Sequence, residues 1–317
     1  MHGNSTKKEK VKMMIPFMLL MILITIVFSL FNYSIIYEEK EFSYSFKSIA
    51  ILLIYNLLFI MKLICLFKTL LTNPGEIDQN LIKQNGLGKT SQNYCGACSI
   101  KRPERAKHCK ICNKCFLRWD HHCSWIGNCI GLYNQKTFCL YLFYSTLENF
   151  FVFTVSLLKF ILKIVYDGKL ECSLHNIELL IIIIISMICL VFYGINLYNQ
   201  FYLVINNLTT LEKKLYNYDI TESIFYSPNK YENFAVIFGV DNCLDWFNPK
   251  FIVNEKNSGY DYVMNRNQQN LPLHTPTEIS STANVEEKQD KDKVYINLGD
   301  MSRSIVESPK SMDIILK

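Results

Sequence analysis

Four long apolar blocks decide what this chain can fold into. They run from about Met14 to Tyr37, Ile49 to Leu71, Thr137 to Ile161 and Ile177 to Val204. Crossing the roughly 30 Å of bilayer hydrocarbon takes about 20 mostly apolar helical residues, and each block has that length. The fourth, apolar almost without a break from Leu179 to Phe192, is the least ambiguous. Hydrophobic residues make up 50% of the 317, so too little polar sequence remains to wrap four such helices as a soluble core. The first block exceeds the usual apolar region of a leader and has no small-residue cleavage site, so it is expected to stay as a span. The expected fold is all-α and multi-pass, with four transmembrane helices.

Charge orients those helices. Lys7, Lys8, Lys10 and Lys12 precede the first block, and ten Lys/Arg lie from Asn73 through Lys136. The loops near 38–48 and 162–176 hold two each, Lys40 and Lys47, then Lys163 and Lys169. Cytosolic loops carry the excess of Lys and Arg, so both termini and the 73–136 loop are expected in the cytosol. A net charge of +5, spread in this way, does not describe a nucleic-acid binder.

The resulting order is a basic tail at 1–13, two spans with a short lumenal loop at 14–71, a cytosolic domain at 72–136, two more spans at 137–204, and a cytosolic segment at 205–253. That last segment still holds aromatics such as Phe234, Phe238 and Trp246 and is expected to pack on the membrane face. From Asn254 to 317 the chain turns rich in Asn, Gln, Ser and Lys, a composition expected to be disordered.

Seven of the twelve cysteines fall within residues 95–129. On a reducing cytosolic side disulfides are rare, and metal binding is the better reading. The loop runs Cys95-x2-Cys98-x9-His108-Cys109-x2-Cys112-x2-Cys115-x4-Asp120-His121-His122-Cys123-x5-Cys129. Structural zinc takes four ligands, and Cys-x2-Cys is its usual half-site. Two half-sites, Cys95/Cys98 and Cys109/Cys112, imply two zinc ions and eight ligands. Seven cysteines and three histidines then leave one of each spare if both sites are Cys3His. A spare thiol beside a spare imidazole is the pairing that generates a nucleophilic thiolate. The count alone does not say which pair is spare. Asp120-His121-His122-Cys123 brings a carboxylate, two imidazoles and a thiol within four residues, and a carboxylate can fix the tautomer of an imidazole. A purely structural zinc module, and a ubiquitin-ligase type of zinc module, are the alternatives. The second lacks the closing Cys-x2-Cys after Cys129.

Residues 95–134, ending Asp120-His-His-Cys-Ser-Trp-Ile-Gly-Asn-Cys-Ile-Gly131-x2-Asn134, resemble the cysteine-rich domain of the DHHC family of protein S-acyltransferases. Thr209-Thr210-Leu211-Glu212 resembles the family's TTxE motif, Asn233-x3-Ile237-Phe238-Gly239 its C-terminal Asn-x3-Val-Phe-Gly, and Asn73-Pro74-Gly75 its Asp-Pro-Gly. The likeness covers about residues 14–250. It implies one zinc on Cys95, Cys98, His108 and Cys115 and another on Cys109, Cys112, His122 and Cys129. It leaves Cys123 as nucleophile, His121 as base and Asp120 as its orienter. Ser124 stands where the family has Pro, which is expected to loosen the turn beside the nucleophile.

The implied activity moves a long acyl group, palmitoyl, from acyl-CoA through a Cys123 acyl-enzyme to cysteines of membrane-associated proteins. Its partners are the bilayer, acyl-CoA and those protein substrates. Endomembranes, Golgi or ER, are the family's default site, with the plasma membrane as the alternative. Eight basic residues of the loop (Lys89, Lys101, Arg102, Arg105, Lys107, Lys110, Lys114 and Arg118) are candidates for CoA phosphates or anionic headgroups. A catalytically silent zinc-binding adaptor on the same scaffold is the competing reading. Ionisable residues inside spans are functional suspects. Lys62 and Glu148 fall at similar depth, about 16–18 Å from the cytosolic edge at 1.5 Å per residue. A pair between them would close the inner end of an acyl pocket, the alternative being that each snorkels or meets another polar group such as Asn56 or Asn149. For Glu212 and Asn233 a structural role is expected, holding the C-terminal segment under the loop.

Overall fold

The computed structural model describes residues 7–39, 46–77, 94–103, 105–167, 173–215, 227–239, 243–249, 289–290 and 293–294. Four long helices dominate: α1 Lys7–Glu39, α2 Phe46–Leu71, α3 Gln135–Asp167 and α4 Leu174–Ile205. Their apolar stretches, Ile15–Ile36, Phe46–Leu71, Gln135–Tyr166 and Leu174–Ile205, are long enough to cross a bilayer. The chain is a multi-pass membrane protein. The helices begin a few residues before the apolar blocks. Ser173 caps α4 by accepting from the Asn176 amide.

Helix α3 packs along both α2 and α4, and α1 lies against α2 and α4. Leu53, Leu57, Ile184 and Ile188 stay exposed, the apolar outer face that lipid requires. Inside, polar groups meet in pairs, as they must where no water can serve them. Asn56 donates to Asn32 at 3.3 Å, and the Tyr141 and Tyr193 hydroxyls lie 3.1 Å apart. Lys62 Nζ lies 2.5 Å from Glu148 Oε2, with both side chains buried. The two ionisable residues therefore do meet, across α2 and α3.

The described residues between α2 and α3 are not helical. Three antiparallel hairpins form the module: β1 Tyr94–Cys95 with β2 Ile100–Lys101, β3 Lys107–Cys109 with β4 Lys114–Phe116, and β5 His121–Cys123 with β6 Asn128–Ile130. Close backbone contacts join the module to the membrane helices. The Asn128 side-chain Nδ2 donates to the carbonyls of Thr69, Leu70 and Thr72 at the end of α2. Asn73 Oδ1 accepts from the Gly75 and Glu76 amides at 3.0 and 2.7 Å. An asparagine serves this turn without the carboxylate charge of the motif it resembles. A Cβ on Gly131 would stand 2.5 Å from the Pro74 carbonyl oxygen, so only glycine admits this approach.

Among the described residues after α4 are three short helices, α5 Thr210–Leu215, α6 Lys230–Phe238 and α7 Cys243–Phe247. Asn233 donates to the Ile205 and Ser227 carbonyls, and Lys136 donates to those of Phe238 and Asp245. Within this segment Phe234 stacks on Phe238 and meets Trp246 edge-on. The expected disorder from Asn254 onward lies outside the described residues. The exception is a two-residue hairpin, β7 Gln289–Asp290 with β8 Lys293–Val294, in a separate unit, 266–317.

Candidate active site

Strand alternation sorts the histidines and cysteines. Successive side chains on a strand point to opposite faces, so neighbours in sequence serve different sites. On β3, His108 sits opposite Cys115 of β4 and joins Cys95 and Cys98, while Cys109 turns the other way. Cys109 gathers with Cys112, His122 and Cys129. Within each set the ligand atoms lie within 4.8 Å of one another. In the second set, His122 Nδ1 stands 3.4 Å from Cys112 Sγ and 3.6 Å from Cys129 Sγ. A tetrahedral zinc with bonds of about 2.0–2.3 Å spaces its ligands at about 3.5–3.8 Å. Both Cys3His sets fit that ion, and its contribution would be structural. They are the two sets the family resemblance implied.

The same alternation leaves His121 and Cys123 together. On β5, His122 faces the second metal set, so the residues on either side of it share the opposite face. His121 and Cys123 are the spare imidazole and thiol, side by side on one face of β5. Cys123 is buried in an apolar cluster with Leu66, Ile126, Phe138 and Tyr141. His121, with its side chain 29% exposed, opens onto a cleft of about 490 Å³. The thiol therefore lies in the apolar cluster behind His121, which itself lines the cleft together with Trp125 and Phe138.

Asp120 is fully enclosed, and donors surround its carboxylate. His121 Nδ1 lies 2.7 Å from Oδ2, which also accepts from Gln200 Nε2 at 3.1 Å and Thr210 Oγ1 at 3.0 Å. The Thr210 amide donates to Oδ1 at 2.6 Å. Burial alone would raise the carboxyl, but the bond and charge of His121, the Thr210 amide and Gln200 together bring it down to about 2. Burial would lower His121, yet the bond to Asp120, the bond to Cys123 and the Asp120 charge push it up to about 10. The site holds an ionised carboxylate and a strongly basic imidazole beside a thiol.

The motif after α4 builds the wall of this site. Thr209 and Glu212 form a reciprocal cap on α5: the Thr209 amide donates to Glu212 Oε2 at 2.8 Å, and the Glu212 amide to Thr209 Oγ1 at 3.3 Å. Glu212 also takes a two-pronged bond from Arg105, at 2.7 and 2.6 Å. Burial would raise the Glu212 carboxyl, but the Arg105 charge and bond hold it below the usual glutamate range. Glu212 is bonded to Arg105 and to the Thr209 amide, and Asn233 to the Ile205 and Ser227 carbonyls. Thr210, by contrast, touches the carboxylate itself.

Two of the eight basic candidates are corrected. Arg105 and Arg118 are buried: Arg105 is committed to Glu212 and Asn207, and Arg118 to Gln135 and Asn207. Both are consumed in joining the module to the end of α4 and to α5. The cleft beside His121 is instead lined by Lys213 and Lys214, with Asn196, Asn199 and Gln200 of α4. None of these was singled out in the sequence. Gln200 carried a signal nonetheless, as a polar side chain inside an apolar block.

Comparison with known proteins agrees with this geometry. A family model described as DHHC palmitoyltransferase matches residues 88–217. A probable protein S-acyltransferase 13 of Arabidopsis thaliana is 30% identical over 261 residues, covering 73% of this chain and 83% of that protein. A probable protein S-acyltransferase 12 of the same plant is 28% identical over 221 residues, 63% of this chain and 73% of the relative. A palmitoyltransferase PFA3 of Debaryomyces hansenii is 36% identical over 140 residues, 44% of this chain and 34% of the relative. The paired metal sets, the spare Cys123 and His121, and the span of the plant relative together place this chain in the DHHC palmitoyltransferase family.

Proposed function

We propose that the protein transfers a long-chain acyl group, palmitoyl, from acyl-CoA to cysteine thiols of membrane-associated proteins, with Cys123 as the covalent carrier. The observation that carries this reading is the buried Cys123 thiol on the same strand face as an imidazole whose Nδ1 lies 2.7 Å from Asp120. Asp120 occupies Nδ1, which leaves Nε2 for the thiol. His121 takes the Cys123 proton, and the thiolate attacks the thioester carbonyl carbon. The carbon–sulfur bond to CoA breaks, and the CoA thiolate leaves with the proton held by His121. The thiol of the acceptor protein then gives its proton to His121 and attacks the acyl-enzyme. Cys123 leaves as a thiolate and recovers the proton. Zinc bound in the two Cys3His sets would hold the hairpins in place and leave Cys123 free for the acyl group. The lysine distribution favours cytosolic termini and a cytosolic module, and the family favours residence in an endomembrane. Purified protein given labelled palmitoyl-CoA should gain a hydroxylamine-sensitive label on Cys123. Labelling undiminished by Cys123→Ala would refute the reading, and would leave a zinc-binding adaptor as the alternative.

The two lysines at the cleft suit the phosphates of the CoA head, while the acyl chain gains about 0.8 kcal/mol per CH2 by staying in hydrocarbon. Lys213→Ala combined with Lys214→Ala should raise KM for palmitoyl-CoA about 10-fold and leave kcat nearly intact, the signature of lost ground-state binding. A KM unchanged in steady-state assays would remove these lysines from the head-group site.

The Lys62–Glu148 pair is proposed as the inner stop of the acyl pocket. Removing one partner would strand a buried charge at a cost of about 3–5 kcal/mol, so the informative variant is Lys62→Leu with Glu148→Leu. Its preference among acyl-CoA donors should move toward longer chains. An unchanged chain-length profile would sink the assignment.

A further inference from the structure

A line of amides leads out of the site into the membrane helices. Gln200 of α4 gives its Nε2 to Asp120 Oδ2 and receives Gln135 Nε2 of α3 on its own Oε1 at 3.3 Å. The Oε1 of Gln135 accepts from the Arg118 guanidinium. All four side chains are buried. The ends fix the direction of every bond: a guanidinium only donates and an ionised carboxylate only accepts. Each glutamine is therefore held in one amide orientation, and each bond polarises the next.

We propose that Gln200 is a positioning residue for acyl transfer, with Gln135 behind it, acting entirely through Asp120. Thr210 fixes Oδ1 with its amide. Oδ2 is the oxygen that His121 uses, and Gln200 is the donor that reaches it from a membrane helix. Without that amide, Oδ2 keeps only the Thr210 hydroxyl at 3.0 Å beside His121, so the carboxylate is held less firmly and the imidazole's aim at Cys123 loosens. A buried glutamine could instead serve only as glue between α3 and α4, of the kind polar side chains provide inside membranes. It could also touch CoA, since it lines the cleft. The three roles differ in their kinetics.

The inference rests on the proposed roles of Cys123, His121 and Asp120, and the experiment separates the two. Single-turnover acylation by labelled palmitoyl-CoA is measured for the full-length protein, Gln200→Leu, Asp120→Ala, the double variant and Cys123→Ala, with zinc content assayed in each. Gln200→Leu should slow the maximal acylation rate about 10- to 100-fold, as loss of an orienting partner does. Half-saturation by palmitoyl-CoA should stay within about twofold, since no binding contact is lost. In the Asp120→Ala background the same substitution should cost nothing further. An undiminished rate in Gln200→Leu, an equal loss in both backgrounds, or a loss confined to half-saturation would overturn the positioning role. Label persisting in Cys123→Ala would instead overturn the underlying mechanism. If Gln200→Leu loses zinc, Gln135→Met enters the same cycle. It should give a smaller fall, again absent in the Asp120→Ala background, and additive losses there would overturn the proposal.

Discussion

Replacing Cys123 with serine is expected to abolish the hydroxylamine-sensitive acyl-enzyme and to cut transfer by about 10³-fold or more. The substitution changes one atom in a buried position, and Cys123 belongs to neither metal set. Zinc content and melting behaviour should therefore match the parent, which isolates the chemical effect. A hydroxyl gives up its proton far less readily than a thiol, so even the basic imidazole of His121 generates little nucleophile. Any acyl group that did transfer would sit in an oxygen ester, which resists mild hydroxylamine. Labelling followed by gel analysis with and without hydroxylamine measures both effects. A serine variant with full transfer and hydroxylamine-sensitive label would end the Cys123 mechanism.

Asp120→Asn should slow acyl-enzyme formation about 10³- to 10⁴-fold at neutral pH, the order seen when an orienting carboxylate is lost from a catalytic imidazole. The amide nearly preserves shape but removes the charge that raises His121. Burial, no longer opposed by that charge, then pulls the imidazole down. Stability should respond to pH in step. A group whose folded value is raised contributes fully below its unfolded value and loses that contribution as pH climbs through the folded one. For His121 the interval runs from 6.5 toward about 10. Wild-type protein in detergent should therefore lose thermal stability across that interval more steeply than Asp120→Asn does. Parallel slopes in melts taken from pH 6 to 10 would show that the Asp120–His121 pair contributes nothing to the fold.

Much of the architecture could be read without coordinates because hydropathy is a local property. Each span is a contiguous block, and its length alone decides whether it crosses a bilayer. The ligand arithmetic was equally local: ten soft donors and two tetrahedral sites leave one thiol and one imidazole. Arithmetic could not say which ones, and the family likeness was needed to choose His121 over its neighbour. The coordinates supply the reason in the pleat of β5, which turns His122 toward the metal set and His121 and Cys123 away from it. That alternation is written in the order His121-His122-Cys123. It becomes decisive only once the segment is known to be a strand, and two- or three-residue strands carry no legible signal of their own.

Other assignments depended on distant partners. Arg105 and Arg118 looked like surface charges for phosphates, yet each is buried against groups 102 and 89 residues away at Asn207. Thr210 and Gln200 reach Asp120 across 90 and 80 residues. Lys213 and Lys214 face the cleft only because the reciprocal cap of Thr209 and Glu212 turns α5 beneath the module. Sequence by itself determined four spans, two half-sites and a surplus thiol, since composition and short spacing are enough for each. The tertiary structure decided what surrounds that thiol. A carboxylate becomes an orienter only when donors from α4 and α5 converge on it, and convergence between distant segments depends on packing that no local pattern specifies.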